Sequence, residues 1–553
     1  MLLCLAPGYP SRSLLREFIS QAFILALLEP RSALANAGLK VAHVDPNPYY
    51  GGCEATLTLD ELIQWAEKHS TTTGDPEAVQ YRIDYLSPNR PSHQKQYSIS
   101  LSPTVIPSVG PFISSLISSG VARYGSYKLL GPAAIYRNGG FQSVPQNKEA
   151  IFQARDIPLI EKRRLMRFLA FAAGEFEQSP ELQGKEDTPF DRFLQESFGL
   201  SEEISQVIMF ALAYCNFSGG EAKTYLPHIC SFNCIDSALT ALHRVRSCLR
   251  SVGRYGPSPF LVGYYGGSGE ITQGFCRATA VNGGVYILGR NISSFVVHDA
   301  QESERYSIQL EDIPDALRSS CILSSMVHVP HCLRSQANLI PPGLAEPLAT
   351  RSRVRAVARC IAIVDGPITC PCSCGTDDIS PVEGRSDSLL VIFPPGALDN
   401  GSETSCVTLL TAGAGTMSAP SDKSMAFTVL LESLTQYETD ILYLSMPFNG
   451  DSKSSKEHLH PYLTQILDLN PTCQLVFEVF YVQYFIIAPD ELHQDSGSNL
   501  FVLPYLQLDC FQTVDQAAHD AENAFQSVVQ GLHKNVDYDM GLWTHQSLVV
   551  HDQ

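Results

Sequence analysis

The stretch VAHVDPNPYYGG, Val41 to Gly52, decides how the rest of this chain is read. Val41 to Val44 is a short, mostly apolar run that ends on a carboxylate, Asp45, so it reads as a buried strand. Pro46-Asn47-Pro48 turns the chain, and two tyrosines and a Gly-Gly pair follow. In a doubly wound dinucleotide fold, an acid at the end of the second strand is placed to bind a cofactor ribose. That placement works only when a Gly-rich phosphate loop lies about 20 residues earlier. Here the early glycines are Gly8, flanked by prolines and well beyond that distance, and Gly38, which reads as a helix C-cap. Backbone N–H groups cannot converge on a pyrophosphate without glycines to admit it. The expectation is a cofactor-type fold that holds no cofactor.

With 553 residues, 44% of them apolar and 17% charged, the chain has the composition of an ordered globular protein with two or more lobes. Its formal charge of −19 argues against nucleic acid, which calls for a basic stripe. The 16 cysteines show no paired framework, so a reducing, cytosolic setting is expected. Cys370, Cys372 and Cys374 alternate in TCPCSCG, whereas zinc sites use wider Cys pairs, so this segment reads as a surface loop and no metal is expected. The opening MLLCLAP lacks a basic leader, the closing VVHDQ lacks a prenylation motif, and no apolar run reaches 18 residues. Any membrane role is expected to be indirect.

Apolar spacing predicts helices over Ser13–Leu28, Arg31–Ala37 and Asp60–His69, with residues 70–96 read as a polar loop insertion. Residues 147–246 are mainly helical, and IEKRRLMRFLAFAAGEFE places Leu165, Phe168, Leu169 and Ala172 on one face. Strands return over 354–364, 389–393, 407–411, 441–445, 476–487 and 499–503, before a last amphipathic helix over 514–532. The segments 333–353, 366–388 and 446–460 read as exposed loops. The organisation predicted is α/β, with an inserted all-α lobe at 147–246 between 1–146 and 247–553.

A second Gly-rich segment, GGSGEITQGFCRATAVNGG over 266–284, fits GxGxxG poorly and shows no strand leading into a helix. Glu270 and Arg277 stand seven residues apart, on one side of a two-turn helix, as a salt bridge, a cap or an exposed charged platform. No HExxH, GxSxG or Walker pattern accompanies the histidines, so catalysis by this chain alone is not expected.

Taken together, VAHVDPNPYYGG, EKRRLMRFLAF, RYGPSPFLVGYYGGSGEITQGFCRATAVNGGVYILG and VFYVQYF resemble the Rab escort protein/GDP-dissociation inhibitor family, with the escort branch of fungal type the nearer match. The resemblance implies an FAD/NAD(P)-binding-like large domain of GDI type carrying a small helical domain, without flavin or other cofactor. It implies binding of Rab GTPases in the GDP form, presentation of unprenylated Rab to the Rab geranylgeranyltransferase heterodimer, and delivery of the geranylgeranyl product to membranes. Carried over, Tyr50, Gly51 and Gly52 of YYGG and Glu270 and Arg277 fall on the Rab-binding platform. Val285 and Ile287 fall there too but depart from the inhibitor pattern. The apolar face around Phe168, Leu169 and Phe171 is the candidate prenyl and transferase region, or else ordinary helix core. The alternatives are a GDP-dissociation inhibitor, preferring prenylated Rab, and a flavoprotein oxidoreductase, which bound flavin would colour yellow.

Overall fold

The computed structural model describes residues 2–6, 34–35, 40–70, 81–91, 94–144, 157–215, 234, 236–298, 305–325, 354–366, 368–369, 387–420, 439–448, 454–486, 499–503, 511 and 513–531. An eight-stranded sheet runs in the order Tyr81–Leu86, Gln474–Ile486, Val354–Asp365, Thr439–Phe448, Val407–Ala412, Leu390–Phe393, Ala133–Arg137, Gly140–Ser143. Its central strand alternates two apolar sets. Ile361 and Ile363 join the core beneath helix Leu59–Ser70, while Cys360, Ala362 and Val364 join the one beneath helix Ser455–Leu469. A sheet covered on both faces needs apolar residues at successive positions, which is why this strand reads as a nearly unbroken run. Two charges are accommodated inside it by partners: Arg359 donates to the Gln483 side chain at 2.8 Å, and Lys456 pairs with Glu478 at 3.0 Å.

The helices start where the local chemistry directs. Thr58 and Glu61 satisfy each other's backbone at the head of Leu59–Ser70, and Ser454 with Glu457 forms a capping box for Ser455–Leu469. Two expectations for loops are overturned here. Within 70–96 the stretch Tyr81–Leu86 is an edge strand paired with 479–483, and within 446–460 a strand runs to Phe448 and a helix begins at Ser455. The predicted helix over 13–28 and the Cys370–Cys374 cluster lie outside the described residues, as does 31–37 apart from the helical pair Leu34–Ala35.

Helices Leu159–Ala173, Phe190–Phe198, Glu202–Ala211 and Ala238–Ser251 share a separate core rich in phenylalanine. Ser201 and Ser237 cap the last two, and Gly199, at φ 63°, turns the chain between the second and third. A smaller sheet holds the signature stretch, in the order Val285–Leu288, Lys40–Asp45, Leu2–Ala6, Ile322–Ser325, Leu500–Leu503.

The last helix, Thr513–Gly531, packs on helix Pro111–Ser118, where Asp515 accepts the Phe112 N–H at 3.0 Å. Burial nonetheless pushes the Asp515 carboxyl up to about 6. The folded chain therefore binds this proton more tightly than the unfolded one. The contribution is favourable in acid and is lost as pH rises from the ordinary aspartate range through about 6. Asp515→Asn keeps an acceptor for Phe112 and removes the charge. It should stabilise the protein by about 1 kcal/mol at neutral pH and leave it unchanged near pH 4, as read by paired urea melts.

Candidate functional site

Strand Lys40–Asp45 ends in a buried carboxylate that accepts from the Asn47 backbone N–H at 2.9 Å and the Asn47 side chain at 3.0 Å, with His43 at 3.8 Å. The residues here do not fit a dinucleotide. Leu2–Ala6 runs antiparallel to Lys40–Asp45, with Leu2 opposite Val44 and Ala6 opposite Lys40. A phosphate loop must follow the first strand on the same sheet edge as the ribose-binding acid. In this chain the first strand leaves at the edge opposite Asp45.

Beyond Asp45 the chain makes a tight corner. Gly51 and Gly52 both have positive φ, 108° and 48°, and a Cβ on Gly51 would lie 2.7 Å from the Ala55 Cα. Only glycine turns the chain here without strain. The corner leaves Tyr50 39% exposed, with its ring edge-on to Tyr286 at 5.7 Å.

The sequence pattern of the second Gly-rich segment predicts no strand leading into its helix. The structure corrects this: strand Phe260–Gly263 passes through a short turn into helix Ser268–Val281. Tyr265, Gly266 and Gly267 in that turn all have positive φ, and this sharp reversal hides the strand–helix junction from pattern reading. The helix is approached closely on two sides. A Cβ on Gly269 would lie 2.2 Å from the Thr56 hydroxyl and 2.6 Å from its backbone nitrogen, and one on Gly274 would lie 2.9 Å from Val121. These glycines let the Tyr50 corner and the Val121–Arg123 turn pack directly on one helix.

The helix exposes Arg277, whose guanidinium lies over the Tyr124 ring at 4.8 Å. Glu270, two turns earlier on the same side of the helix, is half-buried. Burial raises its carboxyl above the usual range, and its charge adds to the burial that pushes Tyr127 up to about 12. Arg277 and Glu270 thus face different aromatic neighbours. Val281 ends the helix 72% exposed, and Val285 on the neighbouring edge strand is 51% exposed, with Ile287 half-buried beside it. The contacts seen here are Tyr50 on Tyr286, in the strand that also carries Val285 and Ile287, and Arg277 on Tyr124. Tyr124 lies in VARYGSYK, where only its aromatic, turn-flanked character could have marked it.

In the helical lobe, Phe168 and Leu169 are buried among Phe190, Phe193 and Phe198, while Phe171 is half-buried against Phe176, Phe193 and Phe198. Among the described residues, no His, Cys, Asp and Glu group could hold a metal, and no helix is long and apolar enough to cross a membrane.

Residues 31–374 match the family described as GDP dissociation inhibitor. The chain belongs to the GDP dissociation inhibitor family. Among relatives of this family member, the Rab proteins geranylgeranyltransferase component A of Saccharomyces cerevisiae is 26% identical over 486 residues, covering 83% of this chain and 72% of the relative. The Candida albicans protein of that description is 28% identical over 69% of this chain, and the Drosophila melanogaster one 29% identical over 54%. The chain spans about half the length of these last two, 54% and 57%. The crystal structure of Rab GDI from Plasmodium falciparum superposes with a TM-score of 0.60 at 17% identity, covering 93% of this chain and 97% of that one. The family member therefore has the α/β, GDI-type fold expected from its sequence.

Proposed function

We propose that this chain is a Rab escort protein, a non-catalytic accessory component of Rab geranylgeranyltransferase. It binds GDP-bound, unprenylated Rab GTPases, presents them to the transferase heterodimer, and delivers the geranylgeranylated product to membranes from the cytosol. The observation that carries this reading is the exposure of Tyr50, Arg277 and Val285 on elements packed closely through glycines, in a chain whose relatives are named component A. Aromatic and arginine side chains set beside apolar ones are the composition of interface anchors. Tyr50, Gly51, Gly52, Glu270, Arg277, Val285 and Ile287 form the Rab face of this proposal. The lobe at 147–246 is its lipid- and transferase-facing part, with Phe168, Leu169 and Phe171 in the layer that parts to admit an isoprenoid.

Division into two surfaces suits the task. A prenyl chain gains about 0.8 kcal/mol per buried CH₂, enough to make a single lipid-only carrier slow to release its load. A polar recognition face coupled to a separate apolar one makes retention depend on both contacts. The test is titration of the full chain with GDP-loaded, unprenylated Rab, followed by prenylation with the transferase heterodimer. A complex and chain-dependent prenylation are expected; absence of both refutes the proposal. Binding restricted to prenylated Rab would instead identify a GDP-dissociation inhibitor, the reading favoured by the family match alone.

A further inference from the structure

Three cysteines in the helical-lobe core have different surroundings. Cys248 is enclosed by apolar groups, and burial alone pushes its thiol up to about 12. Cys215 and Cys234 instead share that core on segments that Arg244 ties together, and each is the largest influence on the other, raising the first thiol and lowering the second. The Cys234 thiol also reaches the Asp236 carbonyl at 3.7 Å. Both cysteines are reduced in the structure.

Arg244 brings the two segments together. Its Nη1 donates to the Tyr214 carbonyl at 3.4 Å and to the Asp236 carboxylate at 2.6 Å. One guanidinium thus fastens the residue before Cys215 to the residue two past Cys234. Tyr214 is itself held at φ 47°, a conformation that costs a non-glycine residue energy. Its ring stacks on Phe511 at 3.7 Å and lies 5.8 Å from Phe260. Phe260 belongs to the strand that feeds the Arg277 helix, and Phe511 precedes the last helix. The thiol pair therefore sits one residue from the joint between the helical lobe and the rest of the molecule.

We propose that Cys215 and Cys234 are a redox modification site, closed to a disulfide by a small hydroperoxide and opened by thiol reductants. Cys234, the thiol favoured for ionisation, attacks the peroxide oxygen; the O–O bond breaks, a sulfenic acid forms and one water leaves. The Cys215 sulfur then attacks the sulfenic sulfur, the S–S bond forms and a second water leaves. Two thiols lose two electrons in total, and one hydrogen peroxide is reduced to two waters. Asp236 and Asp191 oppose ionisation of Cys234, while Cys215 favours it. The burial of both sulfurs selects for an oxidant of small size. The new bond fixes the chain on either side of Tyr214 and so stiffens the joint, whatever partner the protein carries.

The test treats the full chain with hydrogen peroxide under native conditions, quenches with an alkylating agent and maps peptides without reduction by mass spectrometry. The expected product is a 215–234 linked peptide pair lighter by two hydrogens, reversed by dithiothreitol, with Cys248 still alkylated after denaturation. Cys215→Ala should abolish the link and leave a sulfenic acid on Cys234 that dimedone traps. Arg244→Gln should slow linking several-fold while Cys248 reactivity stays unchanged, marking Arg244 as a positioning residue. Recovery of both thiols reduced, links spread evenly over the other cysteines, or linking only after denaturation would each overturn the proposal.

Discussion

Arg277→Glu is expected to weaken binding of GDP-loaded Rab by roughly a hundredfold, about 3 kcal/mol, without unfolding the protein. The separation between the two effects comes from the surroundings of Arg277. Its side chain is exposed, and the neighbour in this chain is the Tyr124 ring. An exposed cation–π contact of that kind is worth about 0.5–1 kcal/mol, so its loss costs little folding stability. In a complex the same guanidinium would be desolvated against an aromatic neighbour, where truncation or reversal is most expensive. Calorimetric titration against Rab, with a thermal melt of the same preparation, reads both quantities. An affinity within twofold of the parent would remove Arg277 from the proposed interface.

Gly269→Val is expected to act in the opposite manner, on the scaffold first. Its Cβ would meet the Thr56 backbone nitrogen at 2.6 Å as well as the hydroxyl at 2.2 Å, so no rotamer change relieves the clash. Either the helix or the segment Thr56–Leu57 has to move. Overpacking of this type costs about 3 kcal/mol at the upper end of its range. The displaced segment is the one that follows the Tyr50 corner, so the Rab affinity should fall together with stability. Gly140→Ala serves as control, since nothing lies within 4 Å of its added Cβ, and it should unfold within about 0.5 kcal/mol of the parent. Urea unfolding of the two variants separates these outcomes. Equal midpoints would show that the close contact does not hold the corner in place.

Helix Leu59–Ser70 was legible because Leu62, Ile63, Trp65 and Ala66 repeat on one face and are indeed buried. The long C-terminal strands were legible because they are buried on both sides and so nearly continuous in apolar residues. Tyr81–Leu86 was not: most of its side chains are half-buried, and its partner strand lies about four hundred positions away. Helix Ser455–Leu469 hid behind Pro461, which reads as a breaker but is accommodated inside the helix. At the candidate site, the Tyr50 corner and Glu270 with Arg277 could be marked from their motifs. Tyr124 could not, because its meeting with Arg277 depends on a close approach at Gly274 that no local pattern encodes.

The pairing of Tyr81–Leu86 with 479–483 also sets an order of assembly. The large sheet cannot acquire that edge until almost the whole chain has been synthesised, because the strand it needs is among the last to appear. The helical lobe draws its contacts from 159–251 and carries no such delay. Non-local pairings are entropically expensive and form slowly, whereas short-range helical contacts form early. During synthesis the lobe is therefore complete while the sheet beside it still has an open, apolar edge, and that interval is when the nascent chain most needs protection from aggregation.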